Sequence, residues 1–551
     1  MSGPGSRVGE LQAEYGGPEL ALANVLCDRH PAESVAVTLV EPGLSRVDVT
    51  FGELRERSER LAAGLAELGV GPGSRVAALL PKSVELPVAL LAIWRLGAVY
   101  VPLFTAFAAQ AIALRLLSSD TRVVIADAGQ RPKLDPGEDM PAEPPWTVVT
   151  AGGGVLAAGD VRYEDLAATG APATAPVAVG ADGPIVELYT SGTTGRPKGV
   201  VVPARALASF VAYQELGLDV RPDDIFWNAA DPGWAYGLYY ALIAPLASGR
   251  RTVLLNAGFS AQLTWELLER LGVTNLAAAP TVYRAVRGSG IGAPARLALR
   301  CCSSAGEPLN PEVVTWAEEA LGVPVRDHYG QTELGMVAIN GWHPQLRAPI
   351  RPGSMGRAMP GFTVGVLAAE RDEPAPPGTV GRVAVDIPAS PLMWFTGYHG
   401  DPGTSADKFS ADGRWYLTGD AGQADEDGYL YFSSRDDDVI IMAGYRIGPF
   451  DIESVLGTHP AVAETAVVGV SDEVRGEVVE AFVVLRPDAQ PDDALADQLA
   501  SLVKTRYAAH AYPRRVHFID ELPKTPSGKI QRFVLRERRA AELRGSPAAP
   551  R

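Results

Sequence analysis

The sequence predicts an α/β protein. A large N-terminal α/β domain carries a β-rich subdomain, and a small C-terminal α+β domain follows. Three observations lead there. Apolar runs of strand length alternate with segments of helical periodicity from residue 51 onward. From about residue 379 the pattern changes to short β runs. After residue 437 helices and strands alternate again over about a hundred residues, the size of an independent small domain.

The elements follow in order. Residues 51–70 (FGELRERSERLAAGLAELGV) place Leu54, Leu61, Leu65 and Leu68 at helical spacing. RVAALLP then reads as a buried strand, PVALLAIWRLG as a helix ending at Gly97, and AVYVPL as another strand. Such alternation predicts a layered domain with mostly parallel pairing. Residues 131–184 are rich in Pro, Ala and Gly and read as loops around a small strand segment. VTNLAAAP and RLALRCCSSAG read as strands that run into loops. TVGRVAVDIP and WYLTGDAGQADEDGYLYFSSR supply the β-rich portion. VIIMAGYRIGP, DIESVLGTHPAVAETAVVGV and EVVEAFVVL build the C-terminal alternation. The closing RERRAAELRGSPAAPR reads as a frayed helix and tail.

Composition narrows the function classes. The chain has 551 residues, 47% hydrophobic and 21% charged, ample for a large core and against general disorder. A formal charge of −16 argues against a nucleic-acid or membrane-surface binder. Cys27, Cys301 and Cys302 give no disulfide framework, and no CxxC or HExxH spacing occurs, so a reducing, cytoplasmic compartment without a structural metal is expected. The N-terminus lacks a hydrophobic signal core. The most apolar region, Val76 to Phe104, is interrupted by Lys82, Glu85 and Arg95 before about 18 apolar residues accumulate. Seven lysines stand against forty-two arginines, so each lysine carries weight.

The sharpest segment is YTSGTTGRPKG at 189–199. Gly192 and Gly195 permit tight backbone paths beside a ligand. Ser191, Thr193 and Thr194 supply hydroxyls and Lys198 a cation, a set suited to a polyphosphate. The GxxxxGK[ST] pattern is not met, so this is not a Walker A loop.

YTSGTTGRPKG resembles the phosphate loop of the adenylate-forming superfamily: acyl-CoA synthetases, peptide-synthetase adenylation domains and firefly luciferase. The superfamily's other motifs occur in order: SAGEPLN at 304–310, DHYGQTELG at 327–335, YLTGD at 416–420, SRDDDVIIMAGYRIGP at 434–449 and PKTPSGKIQR at 523–532. Within it, DPGWAYG, GYRIGP, VRGEVVEAFVVL and LPKTPSGKIQR are most similar to medium-chain acyl-CoA synthetases, with acetyl-CoA synthetase next. The resemblance implies two half-reactions. A carboxylate and MgATP give an acyl-adenylate and pyrophosphate, and the thiol of coenzyme A then displaces AMP.

It also implies roles. Thr190, Ser191, Gly192, Thr193, Thr194, Gly195 and Lys198 hold the β- and γ-phosphates. Glu333 ligates Mg²⁺, for which one carboxylate beside phosphate oxygens suffices, and Thr332 meets the α-phosphate. Tyr329 lies against adenine, Gly306, Glu307 and Pro308 line its other side, and Asp327, His328, Gly330 and Gln331 complete the nucleotide stretch. Asp420 and Arg435 take the ribose. Lys529 bridges the carboxylate and the α-phosphate, where a compact ammonium suits developing charge. Arg446 contacts the phosphoryl group or carboxylate. Ala443, Gly444 and Tyr445 line a pantetheine tunnel, and Arg475, Tyr512, Pro513, Arg514 and, less securely, Lys504 are candidates for coenzyme A. The domains divide as 1–436 and 437–551, the second rotating between half-reactions about a hinge near Asp437, with Asp436 and Asp438 as neighbouring candidates for the pivot.

On the acyl side, acetate-specialised relatives carry Trp where this chain has Gly330, so a deeper pocket is expected; Trp234, Tyr236, Tyr239 and Tyr240 lie in the segment that usually lines it, with Trp234 and Tyr236 taken as its walls, and all four fit a core equally. A medium-chain, branched or aromatic monocarboxylate is favoured over acetate. Asp231 lies in ADPGW rather than in the FDxS setting of amino-acid activation. A stand-alone enzyme that loads a carrier protein is the alternative, and a nucleotide-binding regulator without turnover is a third reading. Lys529 also resembles a site modified by bacterial lysine acetyltransferases, whereas Lys524 reads as surface.

Overall fold

The computed structural model describes residues 3–153, 156–168, 175–190, 197–435, 438–442, 445–472, 476–508, 511–525 and 529–545. Helix Phe51–Glu67 begins in a capping box, with Thr50 accepting from the Glu53 amide and Glu53 reaching back to the Thr50 amide. Its buried stripe contains Leu54, Leu61 and Leu65. Helix Glu85–Arg95 is buried on all sides from Leu86 to Arg95, which explains its uninterrupted apolar run. The fully buried Arg95 is paired with Asp28, and its Nε donates to Ser58 Oγ at 2.9 Å.

Among the described residues, these helices accompany a seven-stranded sheet. It runs Val161–Arg162, Thr147–Ala151, Val123–Asp127, Arg75–Leu79, Val99–Pro102, Pro184–Thr190, Lys198–Pro203. All neighbours are parallel except the last pair, a hairpin. The Pro- and Gly-rich stretch at 131–184 thus contributes strands and also the helix Tyr163–Ala168, besides its loops.

Among the described residues, a thirteen-stranded sheet forms the second layer system. Its centre is parallel, from Thr252–Leu255 through Phe226–Asn228, Asn275–Ala278 and Cys301–Ala305 to Val325–Gln331. Beyond Val325–Gln331 it turns antiparallel, through Gly335–Ile339, Ser354–Ala358, Leu430–Arg435, Trp415–Ala424, Gly381–Asp386 and Val364–Leu367. The β-rich pattern after residue 379 is this antiparallel wing, continuous with the parallel centre.

Five strands form the C-terminal sheet, with Gly476–Leu485 between Val462–Asp472 on one side and Ile440–Met442 and Arg515–Phe518 on the other. The expectation of a frayed terminal helix is corrected. Helix Arg532–Gly545 is docked, with Leu535 and Arg539 buried and Arg539 Nε 2.7 Å from Glu480 Oε2. That pairing was invisible to local periodicity because Glu480 lies 59 residues away. Across the boundary, helix Pro449–Leu456 faces strand Leu430–Arg435: Ser433 Oγ donates to Asp451 Oδ2 at 2.9 Å, and the Phe432 and Phe450 rings lie 6.1 Å apart. Among the described residues no helix is long and apolar enough to cross a membrane, and all three cysteines are buried and free.

Candidate active site

The phosphate-loop candidate sits at the tip of the hairpin formed by Pro184–Thr190 and Lys198–Pro203, where Thr190 pairs with Lys198. Ser191 to Gly195 lie outside the described residues. The base of the hairpin is pinned by a buried carboxylate. Glu187 accepts from the Tyr189 hydroxyl at 2.5 Å and from Arg75 Nε at 3.1 Å, with His399 Nδ1 at 3.6 Å. The His399 amide donates to the Gly199 carbonyl at 2.7 Å. A Cβ at Gly199 would stand 3.1 Å from the Tyr189 ring, so glycine lets this backing strand lie close. Lys198 Nζ is thereby held 5.5 Å from the Tyr398 ring centre.

Strand Val325–Gln331 delivers the next group. Alternation along it sends Tyr329 and Gln331 to one side, where both meet Asp420. Asp420 Oδ2 accepts from the Tyr329 hydroxyl at 2.5 Å and from Gln331 Nε2 at 2.6 Å. Burial pushes the Asp420 carboxyl above the ordinary range, while Tyr329, Arg435, Gln331 and Lys408 pull it back. Arg435 is its partner on the neighbouring strand. Gly306 to Pro308 leave strand Cys301–Ala305 beside this point, since Ala305 pairs with His328. Gly306 has φ +98° with open space around it, and Glu307 is bonded by Thr281 and Arg284. The proposed adenine and ribose residues are therefore brought together.

His328 points the other way. Its Nε2–H donates to the Asn340 carbonyl at 3.3 Å, so Nδ1 accepts from the Tyr213 hydroxyl at 2.6 Å. Burial lowers its pKa to about 3, and the ring is neutral. Its side chain is thus committed to the core and leaves only backbone for a nucleotide. Asp327 is half-buried with its carboxyl pushed well up by desolvation, and among the described residues Oδ1 has no hydrogen-bond partner, which suits an N–H donor of a ligand.

Glu333 follows on the turn after that strand. It is nearly buried, and Oε1 accepts from the Tyr398 hydroxyl at 2.7 Å. Among the described residues no group of three His, Cys, Asp or Glu side chains forms a metal cage. One buried carboxylate with a second oxygen to spare nevertheless fits a magnesium ion that arrives on ATP phosphates, because Mg²⁺ keeps most of its shell for water and phosphate. Tyr239 donates to the Thr332 carbonyl at 3.1 Å and so fixes the turn.

Lys529 lies on the C-terminal domain, in a loop closed by the Thr525 amide on the Lys529 carbonyl at 2.8 Å and by a bridge between Lys524 and Ile530. Its side chain keeps solvent contact yet stands in a crowded cleft. Desolvation lowers its pKa, Glu307, Asp420 and Glu333 raise it, and Arg435 lowers it further. Its charge thus feels the same carboxylates that the N-terminal motifs supply. Lys524 pairs with Glu464 at 2.7 Å, a surface contact.

One cleft residue escaped the sequence reading. Lys408 Nζ donates to the Thr418 carbonyl at 3.0 Å, and its pKa is lowered by burial. The available signal was composition, since any lysine retained in so arginine-rich a chain merits attention.

On the acyl side, Trp234 packs on Phe104 and Phe107, with centroids 5.4 and 5.2 Å away, and Tyr236 bonds Tyr213 at 3.1 Å. Both are half-buried, whereas Tyr239 and Tyr240 are core: Tyr239 stacks on Phe210 at 4.3 Å, and the Tyr240 hydroxyl accepts from the Met336 amide at 2.9 Å. Gly330 needs a different explanation from the one its sequence position suggests. A Cβ there would come 2.1 Å from the Gly335 carbonyl oxygen, at a register shift between the two strands. Glycine at 330 answers to backbone approach. Asp231 caps the Gly233 amide at 2.8 Å and pairs with Lys82 at 3.5 Å.

Of the coenzyme A candidates, Tyr512 is brought together with Lys504 and Arg514, each cation 3.9 Å from the ring centre, and Pro513 connects Tyr512 to Arg514. The backbone of Tyr445 and Arg446 forms an edge strand paired with Ile440–Met442. Asp437, Ala443, Gly444 and Arg475 lie outside the described residues.

Comparison with known proteins gives a consistent picture. The family described as AMP-binding enzyme matches residues 25–399, and the AMP-binding enzyme C-terminal domain matches 451–529. An acetyl-coenzyme A synthetase from Bacillus subtilis is 36% identical over 88% of this chain and 84% of its own length. A mitochondrial acyl-coenzyme A synthetase from Mus musculus is 34% identical over 89% and 84%. Among solved structures, an acyl-CoA synthetase from Brucella canis is 44% identical with a TM-score of 0.74, covering 97% of this chain and 98% of that one. A benzoate CoA ligase from Burkholderia xenovorans is 29% identical with a TM-score of 0.81, covering 94% and 100%.

Proposed function

Since the chain belongs to the AMP-binding enzyme family and is an ATP-dependent, AMP-forming acyl-CoA ligase, we propose that its substrate is a medium-chain, branched or aromatic monocarboxylate activated as an acyl-adenylate. The observation that carries the adenylation reading is the cleft in which Lys529 feels Glu307, Asp420, Glu333 and Arg435 at once. An anionic carboxylate must approach a polyanionic nucleotide, so the barrier is one of placement and charge. In this reading Lys198 and Lys529 supply cations from two sides, Asp420 and Arg435 hold the ribose, and Glu333 holds a Mg²⁺ whose charge offsets that of the phosphates.

The acyl preference rests on Trp234 and Tyr236. Both are half-buried aromatics, Trp234 packed on Phe104 and Phe107 and Tyr236 linked through Tyr213 to His328 of the nucleotide strand, and an apolar surface of that size favours an acid larger than acetate. Asp231 is already committed to Lys82 and the Gly233 amide, which leaves no anion for a substrate amine. Coenzyme A is assigned to the face that carries Lys504, Tyr512 and Arg514. The domain boundary falls between strand Leu430–Arg435, in the larger sheet, and strand Ile440–Met442, in the smaller. The solvent contact of Lys529 supports its modification by a lysine acetyltransferase; mass spectrometry after incubation with such an enzyme tests that assignment.

Pyrophosphate release measured over acetate, C4–C10 straight chains, branched acids and benzoates tests the substrate class. The larger acids are expected to give the higher kcat/KM, and a preference for acetate overturns the acyl assignment.

A further inference from the structure

Lys408 occupies a position that no motif explains. It follows the short helix Pro402–Ala406 and reaches across to the part of strand Trp415–Ala424 just before Asp420. Its Nζ donates to the Thr418 carbonyl at 3.0 Å and approaches the Leu417 carbonyl at 3.5 Å. The same Thr418 carbonyl accepts from Gln331 Nε2 at 2.9 Å, and that amide also donates to Asp420 Oδ2. The Asp420 amide donates to Thr418 Oγ1 at 3.1 Å. Gly419, between them, has φ +76°, and a Cβ there would stand 3.5 Å from Lys408 Nζ. The ammonium therefore lies over an irregular stretch of strand Trp415–Ala424, where its pairing with Gly381–Asp386 shifts register, and the next residue is the ribose candidate. Lys408 Nζ lies 5.6 Å from the Tyr416 ring centre, and the Tyr416 hydroxyl in turn donates to Gln331 Oε1 at 3.2 Å.

We propose that Lys408 is a positioning residue for nucleotide binding, its ammonium tying down the Leu417 and Thr418 carbonyls and lending its charge to the carboxylate that receives the ribose. The inference rests on the reading that Asp420 meets the ribose. Two arguments support it. The first is geometric. Lys408 and Gln331 converge on one carbonyl from different elements, and Gln331 continues to Asp420, so loss of the ammonium frees the irregular strand segment that aims the carboxylate. The second is electrostatic. Asp420 is buried and must be ionised to accept two hydroxyls. Lys408 and Arg435 are the cations that favour the ionised form, beside hydrogen bonds from Tyr329 and Gln331. Lys408 itself faces Glu333 and Asp420, which favour its charge, and Arg435 and Lys198, which oppose it. Lys529 adds a further positive charge on the Asp420 side.

The test is calorimetric binding of AMP and of ATP to the full chain, from pH 5.5 to 8.5, for the wild type, K408M, K408Q, K408R and D420A. K408M is expected to weaken both nucleotides about tenfold at pH 7.5, the scale of one charge-assisted hydrogen bond. Its acid limb, where affinity falls as Asp420 protonates, is expected to move to higher pH. K408Q keeps a donor for the Thr418 carbonyl without the charge, so it should recover affinity at pH 8 but retain the shifted limb. K408R keeps the charge and should hold the wild-type limb. A purely structural lysine would leave the limb in place. If K408M folds poorly, the contrast between K408Q and K408R decides: coincident pH limbs overturn the proposal. D420A with unchanged nucleotide affinity overturns the ribose reading itself. D420A impaired beside an unchanged K408M overturns only the role of Lys408.

Discussion

Glu187 should matter more than its distance from the nucleotide residues suggests. Its carboxylate is 1% exposed and sits two residues before Tyr189 on the strand that feeds the phosphate loop. One oxygen holds the Tyr189 hydroxyl, the other holds Arg75, and His399 closes the third side. Glu187→Gln keeps the shape and removes the charge. Hydrogen bonds to a charged partner contribute about 1.5–3 kcal/mol against about 0.5–1.5 for neutral ones. Two such bonds lose about 1 kcal/mol each, and the new amide N–H turns toward a donor. Arg75 is 27% exposed, so water screens part of its share. The expected cost is about 2 kcal/mol, read from urea unfolding followed by tryptophan fluorescence. Arg60→Ala is the control: its partner Glu56 and Arg60 itself are both more than half exposed, and such helix pairs contribute about 0.3–0.5 kcal/mol. Because Thr190 and Lys198 are the next pair along the hairpin, the KM for ATP should also rise several-fold while that for the carboxylate holds. Equal unfolding midpoints for the two variants would refute the anchoring argument.

Three further outcomes are expected. Lys529→Ala should lower acyl-adenylate formation about 10²–10³-fold yet spare thioester formation from supplied acyl-adenylate; equal loss in both assays removes its assigned role. Burial lifts the Asp451 carboxyl to about 6, against bonds from Ser433 and Tyr507 and with Glu453 adding to the rise. A group whose folded pKa is raised favours the fold when protonated, so its contribution is full below about pH 4 and is lost as pH rises through 6. Asp451→Asn should therefore stabilise the chain at pH 7.5 relative to the wild type, with the gain shrinking toward pH 5 in thermal unfolding; a gain constant with pH counts against it. Finally, Lys408 and Lys529 both have lowered pKa values, so a bound polyanion should draw protons onto them. ATP binding near pH 9 should show net proton uptake, seen as a binding enthalpy that varies with buffer ionisation enthalpy, and identical enthalpies across buffers would contradict it.

The parts of this molecule that could be read from the sequence are those in which local pattern and local structure coincide. The Phe51–Glu67 helix follows from a period of 3.6, and the strands around residues 75, 99 and 275, buried on both faces, follow from short continuous apolar runs. The nucleotide motifs were legible because each is a short contiguous string. What escaped lies between strings. The terminal helix is docked by Arg539 on Glu480, a pairing across 59 residues that no window of sequence contains. Gly330 invited an argument from missing side-chain volume, whereas its packing shows a backbone argument, the Gly335 carbonyl at 2.1 Å from any Cβ. His328 sits inside a nucleotide motif, yet strand alternation turns its ring into the core, where Tyr213 holds it.

The same distinction explains the lysines. Arginine outnumbers lysine sixfold in this chain, yet Lys198, Lys408 and Lys529, from three separate segments, act within one field defined by Glu333, Asp420 and Arg435. A guanidinium spreads its charge over a plane and prefers a matching fork, as Arg435 can offer at a strand end. An ammonium is instead a point charge on a long stem, and desolvation lowers the pKa of Lys408 and of Lys529 while Glu333 and Asp420 favour their charge. Composition alone does not separate a site from a surface, since Lys524 pairs with Glu464 in a surface contact; what marks Lys408, outside every motif, is its grip on the Leu417 and Thr418 carbonyls beside Asp420.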